Sequence, residues 1–195
     1  DELIVGRSAG DSTGLLQQSG GAVTTDFVTV YSGSRYDLTG GTLQVNERFD
    51  LTGTLDFGGG DASILATDAV IVDWASGTLL GSATGTSYSA GVNSESYFPT
   101  GFDPYTEFGS FTSQGLVHVQ GTPLVVPTGF VMSIDSDRPD RIRVEGTLRP
   151  EGSPSSPESL VVSQGGVEVA PGGVFNMYGA SLTLRTDSAV YGGNL

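Results

Sequence analysis

The stretch Tyr36–Val45, YDLTGGTLQV, decides the fold. A paired glycine is followed by a run in which Leu43 and Val45 flank one polar residue, Gln44. Successive side chains of a strand point to opposite faces, so Leu43 and Val45 share one face and Gln44 takes the other. The phrase returns as QQSGGAVTT (17–25), SQGGVEV (163–169) and YGASLTL (178–184). Further pairs of the same kind are Leu55/Phe57, Val117/Val119, Leu160/Val162, Val167/Val169, Phe175/Met177 and Leu182/Leu184. The residues between them (Asp56, His118, Val161, Glu168, Asn176 and Thr183) are mostly polar, the pattern of half-buried strands.

Glycine stands before many of these pairs, at Gly40-Gly41, Gly53, Gly115 and Gly165-Gly166. It reaches positive φ without a Cβ clash and so suits a sharp corner. Strands of three to five residues with a corner after each fit the faces of a parallel β-solenoid, in which each strand pairs with the one a coil below. Gly20 to Gly40 spans one such coil. Seven or eight coils at a strand spacing of about 4.8 Å would make a rod of roughly 35–40 Å.

The chain reads as a single all-β domain over 1–195, with irregular coils. Residues 1–80 carry the Gly-paired repeats and 114–195 resume short strands. Between them, 81–113 break the pattern in one long excursion rich in aromatics, among them Tyr88, Tyr97, Phe98, Phe102, Tyr105, Phe108 and Phe111. No helix is expected, because no 3.6-residue apolar period is sustained. The nearest candidate, DASILATDAVIVDWA (61–75), is rich in β-branched residues and is assigned to strands.

Composition narrows function by exclusion. Net charge is −14, and all eight basic residues are arginine. Phosphate contacts need a basic stripe, so nucleic acid is not an expected partner. No apolar run approaches the roughly 18 residues of a membrane helix, so no membrane insertion is expected. Without cysteine there is neither a disulfide framework nor a thiolate metal site. A chain opening on Asp1-Glu2 reads as a processed protein or an excised fragment.

The segment Leu3–Val45 resembles the Gly-rich repeats of bacterial secreted proteins with PEP-CTERM sorting signals and of autotransporter passenger domains. The resemblance rests on Leu3-Val5-Gly6, Gln18-Ser19-Gly20-Gly21-Val23-Thr24 and Tyr36-Leu38-Thr39-Gly40-Gly41-Thr42-Leu43-Val45. GTLRPEGSPSSPESLVV (146–162) is similar to a segment common in the same proteins, departing from it at Glu151 and Ser156, where glycines are expected. The resemblance covers about half the chain. It implies a right-handed β-solenoid, export to an extracellular or cell-surface setting, and no shared catalytic residues.

Candidate sites follow from residue type. Tyr97, Phe98, Phe102 and Tyr105 could form a sugar-stacking or docking surface, or instead fold back as the core of the excursion. Asp135, Asp137 and Asp140 imitate the start of a calcium loop without its glycine or distal glutamate, so calcium is the one cofactor the sequence leaves room for. His118, the only histidine, is expected on a polar face. A polysaccharide hydrolase needs two carboxyls at a defined separation, and 22 acidic residues supply pairs too freely for any one to carry weight. For a lyase, Arg141 and Arg143 flank Ile142 in a suitable alternation, but ion-paired surface is the commoner role of such residues.

The two ends, ELIVG with Leu3, Ile4 and Val5, and SAVYGGNL with Val190 and Tyr191, read as strands without a capping helix. Unpaired strand edges invite another chain. The expectation is therefore a non-enzymatic extracellular structural or adhesive solenoid, self-assembling head to tail into a layer or filament. Alternatives are a carbohydrate-binding module on a surface glycan and a polysaccharide lyase or hydrolase; ice binding by Thr-rich faces is an outsider.

Overall fold

Gly40 and Gly41 lie against the backbone of Ser19, Gly20 and Gly21, one coil earlier. A Cβ on Gly40 would come 2.7 Å from the Ser19 carbonyl oxygen, and one on Gly41 would strike Gly20 and Gly21. Gly21 and Gly41 both have left-handed φ, +71° and +82°. Two chain segments touch here main chain to main chain, which only glycine permits. The computed structural model describes residues 1–7, 13–126, 131–134, 142–150, 159–162, 166–176, 181–184 and 190–191. Its fold is a parallel β-solenoid of about six turns, fewer than the seven or eight expected. The chain divides into two compact units, Asp1–Gln120 and Gly121–Leu195.

The strands of the first unit are β1 (Glu2–Val5), β2 (Leu15–Val30), β3 (Arg35–Leu51), β4 (Thr54–Asp56), β5 (Asp61–Ala66), β6 (Ile71–Asp73), β7 (Thr78–Leu80), β8 (Ser87–Ala90) and β9 (Glu95–Phe98). After them come the helix α1 (Pro104–Glu107) and strands β10 (Ser110–Ser113) and β11 (Leu116–Val119). Every pairing among these strands is parallel. They stack into three faces. The first face holds the starts of β2 and β3, then β4 and β7. The second holds the middles of β2 and β3, then β5, β8 and β10. The third holds β1, the ends of β2 and β3, then β6, β9 and β11.

Three expectations need correction. Glycine corners do not end strands: β2 and β3 run 16 and 17 residues around two corners each, the first a glycine pair and the second, at Asp26 and at Asn46-Glu47, without glycine, and the pairing resumes after a register shift at each. The excursion is shorter than 81–113, since β8, β9 and β10 belong to ordinary coils and only the stretch from Pro99 to Gly109 leaves the ladder. That stretch contains the helix that periodicity could not reveal. It is one turn long, nucleated by Pro104 at its start and by Asp103, whose carboxylate accepts from the Tyr105 N–H at 3.0 Å.

The core follows the alternation. Leu43, Val45, Leu55 and Phe57 are fully buried, while Gln44 and Asp56 lie between them on the outer side. In the later coils the core becomes aromatic. Trp74 packs edge-on against Phe49 (5.1 Å), Phe98 (5.6 Å) and Tyr88 (5.9 Å). Phe108 and Phe111 stack on Tyr88 at 5.4 and 5.2 Å.

The second unit contains β12 (Leu124–Val126), β13 (Val131–Ile134), β14 (Ile142–Val144), β15 (Thr147–Pro150), β16 (Ser159–Val162), β17 (Val167–Val169), β18 (Val174–Phe175), β19 (Ser181–Leu184) and β20 (Val190–Tyr191). Its faces are β12-β14-β17-β20, β13-β15-β18 and β16-β19, again parallel. Val167 and Val169 are buried with Glu168 between them turned outward, as the alternation requires.

Candidate functional site

The departure of Pro99–Gly109 from the ladder creates the site. On the first face β7 pairs with β4, and among the described residues no strand continues the face beyond it. The excursion lies there instead, leaving a slot of about 400 Å³. One wall is Gly77, Thr78, Leu79 and Gly81; the other is Pro99, Thr100, Gly101, Phe102 and Glu107. Thr78 N–H donates to the Gly53 carbonyl and the Leu80 carbonyl accepts from Phe57 N–H, both at the β4 edge. In a parallel ladder alternate residues bond to alternate sides, so the N–H and C=O of Leu79 point into the slot.

The four aromatics marked from sequence do not form one platform. Phe98 is fully buried, with Phe102 stacked on it at 5.6 Å. Tyr97, 7% exposed, lies on the opposite side of its strand, with its hydroxyl on the Glu95 carboxylate. Tyr105 is 68% exposed, edge-on to Phe111 at 4.8 Å. Only Phe102 lines the slot.

His118 requires a correction. It does lie on the face opposite Val117 and Val119, which pack toward the core. That face is covered at this level, however: His118 is 8% exposed, registers with Tyr97 and meets its ring at 6.1 Å. Alternation tells which side a residue takes; it does not tell whether that side is wet.

The outer faces carry an arginine–acid motif, of which only Arg143 was expected to be ion-paired. Each of three arginines is followed two residues later by an acid and meets a second acid one coil on. Arg35 bonds Asp37 and, at 2.7 Å, Asp56. Arg48 bonds Asp50 at 2.7 Å and approaches Asp73 at 3.9 Å. Arg143 bonds Glu145 at 2.9 Å and Glu168 at 3.2 Å. Burial pulls the Asp37 carboxyl upward, but hydrogen bonds from Arg35 and Gln17 outweigh it and hold the group below its ordinary range. The signal, R-x-[DE], was present in the sequence; its partner one coil away was not. Inside the coil, burial pushes the Tyr36 hydroxyl well above its ordinary pKa, and it donates to the Gln18 side chain.

The remaining marked residues fall as follows. Asp135, Asp137, Asp140 and Arg141 lie outside the described residues; among those described, no group of three or more His, Asp or Glu is placed to hold a metal. Leu3 packs against the core, Val5 is buried and Ile4 is 50% exposed. Val190 and Tyr191 form β20, paired to Val167 and Glu168. Among the described residues no helix is long and apolar enough to cross a membrane. No protein-family model matches the chain, and neither does any curated protein or solved structure.

Proposed function

We propose that this chain is an extracellular structural or adhesive β-solenoid that associates end to end with copies of itself. The observation that carries the reading is the edge of the first coil. Among the described residues β1 and the first two segments of β2 have a strand on one side only. Ile4 and Leu15 on this coil are 50% and 63% exposed. The ladder runs Phe27 N–H to Asp1 and Tyr31 N–H to Val5, so Ile4 turns its N–H and C=O to the free side. Arg35 N–H bonds Gly14, which turns those of Leu15 the same way. A row of unpaired strand groups with apolar side chains is a template for another strand. The resemblance to secreted Gly-rich repeats supports the extracellular setting, and the acidic surface suits it.

Sedimentation velocity across a range of concentrations, with electron microscopy, tests this. Association is expected, and it is lost in an Ile4→Pro, Leu15→Pro double variant, since proline on an edge removes only the outward donors. A monodisperse monomer at high concentration, or association indifferent to both prolines, refutes the reading.

A further inference from the structure

We infer that the slot between β7 and the excursion binds an extended peptide by strand addition, with an arginine or lysine of that peptide against Glu107. The inference is independent of end-to-end association, because the slot lies on the side of the coil and shares no residue with the first-coil edge. Three observations carry it.

The Leu79 N–H and C=O face the slot, and no backbone hydrogen bond joins the excursion to β7; within 99–109 the backbone bonds are Phe102 to Pro99, Thr106 and Glu107 to Asp103, and Gly109 to Ala83 and Thr86. A donor and an acceptor presented by one strand residue are matched by another main chain in extended form. The slot's volume, about 400 Å³, lies in the range of roughly 300–1,000 Å³ typical of ligand sites. Glu107, an exposed residue, is part of its lining and makes no ion pair among the described residues. A cationic side chain on the peptide that pairs with Leu79 satisfies it. A second copy of this chain, at −14, is the wrong sign of partner beside Glu107. A sugar is less well matched, since Phe102 has one face stacked on Phe98 and an edge contact to Phe108 at 5.3 Å, leaving little free ring.

The test uses the full chain and pools of end-blocked hexapeptides with Arg, Ala or Glu fixed at the third position, read by fluorescence polarisation. The Arg pool is expected to bind about ten-fold more tightly than the Ala pool, and Glu107→Lys reverses the preference toward the Glu pool. Methylating alternate peptide amides in one phase is expected to abolish binding, and in the other phase to spare it, because only alternate N–H groups face β7. Leu79→Pro, checked for native circular dichroism, removes binding of every pool. Equal binding of the three pools, indifference to both methylation phases, or saturable glycan binding that Glu107→Lys abolishes would overturn the inference.

Discussion

The earlier coils of the first unit, built from β2 and β3, and its later coils, from β4 to β11, fill the same triangular section in two ways. In the earlier coils glycine pairs stack main chain on main chain, and the core combines the aliphatic Val28, Val30, Leu38, Leu43, Val45 and Leu51 with two aromatics, Tyr36 and Phe49. One coil takes twenty residues from Leu15 to Arg35 and twenty-one from Phe27 to Arg48. In the later coils Trp74, Tyr88, Phe98 and Phe108 fill the interior, and Thr54 to Thr78, Ser63 to Ser87 and Ile71 to Glu95 are each twenty-four residues. Larger side chains need a longer perimeter, and interiors packed near crystal density leave no slack to absorb the difference. Enclosed volume is one contributor to coil length and not the whole of it, since Glu2 to Phe27 takes twenty-five residues, Ser87 to Ser110 twenty-three and Glu95 to Leu116 twenty-one. The excursion adds to this core: Phe108 enters it from a segment that no longer pairs as a strand on the first face, and Phe111 of β10 stacks beside it.

The comparison breaks most sharply at Trp74, where Phe49, Tyr88 and Phe98 converge. Trp74→Ala is expected to lower unfolding free energy by about 3–5 kcal/mol, read by urea denaturation, with near-ultraviolet circular dichroism lost before far-ultraviolet signal. A cost no larger than that of a surface substitution would show that the aromatic coils do not depend on their centre.

The glycine corners provide a paired test. Gly41→Ala meets the backbone of Gly20 and Gly21, whereas Gly21→Ala meets nothing within 4 Å; both have left-handed φ. Backbone strain costs each about 1–3 kcal/mol, so the excess at position 41 measures the close approach of one coil to the next. Equal melting curves for the two variants would remove close stacking as the reason for the second glycine pair.

Smaller effects belong to the outer ladders. Arg48→Ala is expected to cost about 0–1 kcal/mol, falling with added salt, because both partners stay about two-fifths exposed. The Asp37 carboxyl titrates below its unfolded value, so its contribution is fully present above the ordinary aspartate range near pH 3.9 and fades as pH falls through the folded value. Asp37→Asn should flatten that acid limb of a stability–pH curve; a limb of unchanged slope would contradict the assignment.

Some of this was legible in the chain. Period-two alternation placed Leu43, Val45, Leu55, Phe57, Val167 and Val169 inside, because a strand has only two sides and the residue types divide cleanly between them. The same alternation was present in Ser87-Tyr88-Ser89-Ala90, but flanking glycines and aromatics masked it as part of an excursion. The slot was not legible at all. It arises where a coil has no strand to lay on β7, and a missing partner leaves no mark on the residues that lack one.

The sequence by itself determined the local geometry: which side chains turn inward, where left-handed corners fall, and that neighbouring coils pair in parallel. Those choices depend on Cβ sterics and on apolar residues two apart, which every short segment carries within itself. Only the tertiary structure decided which acid in the next coil meets each arginine, that the face bearing His118 is covered, and that Leu79 faces a gap. Each of these depends on residues about twenty positions away, whose register is settled only once the intervening coil has closed around its core.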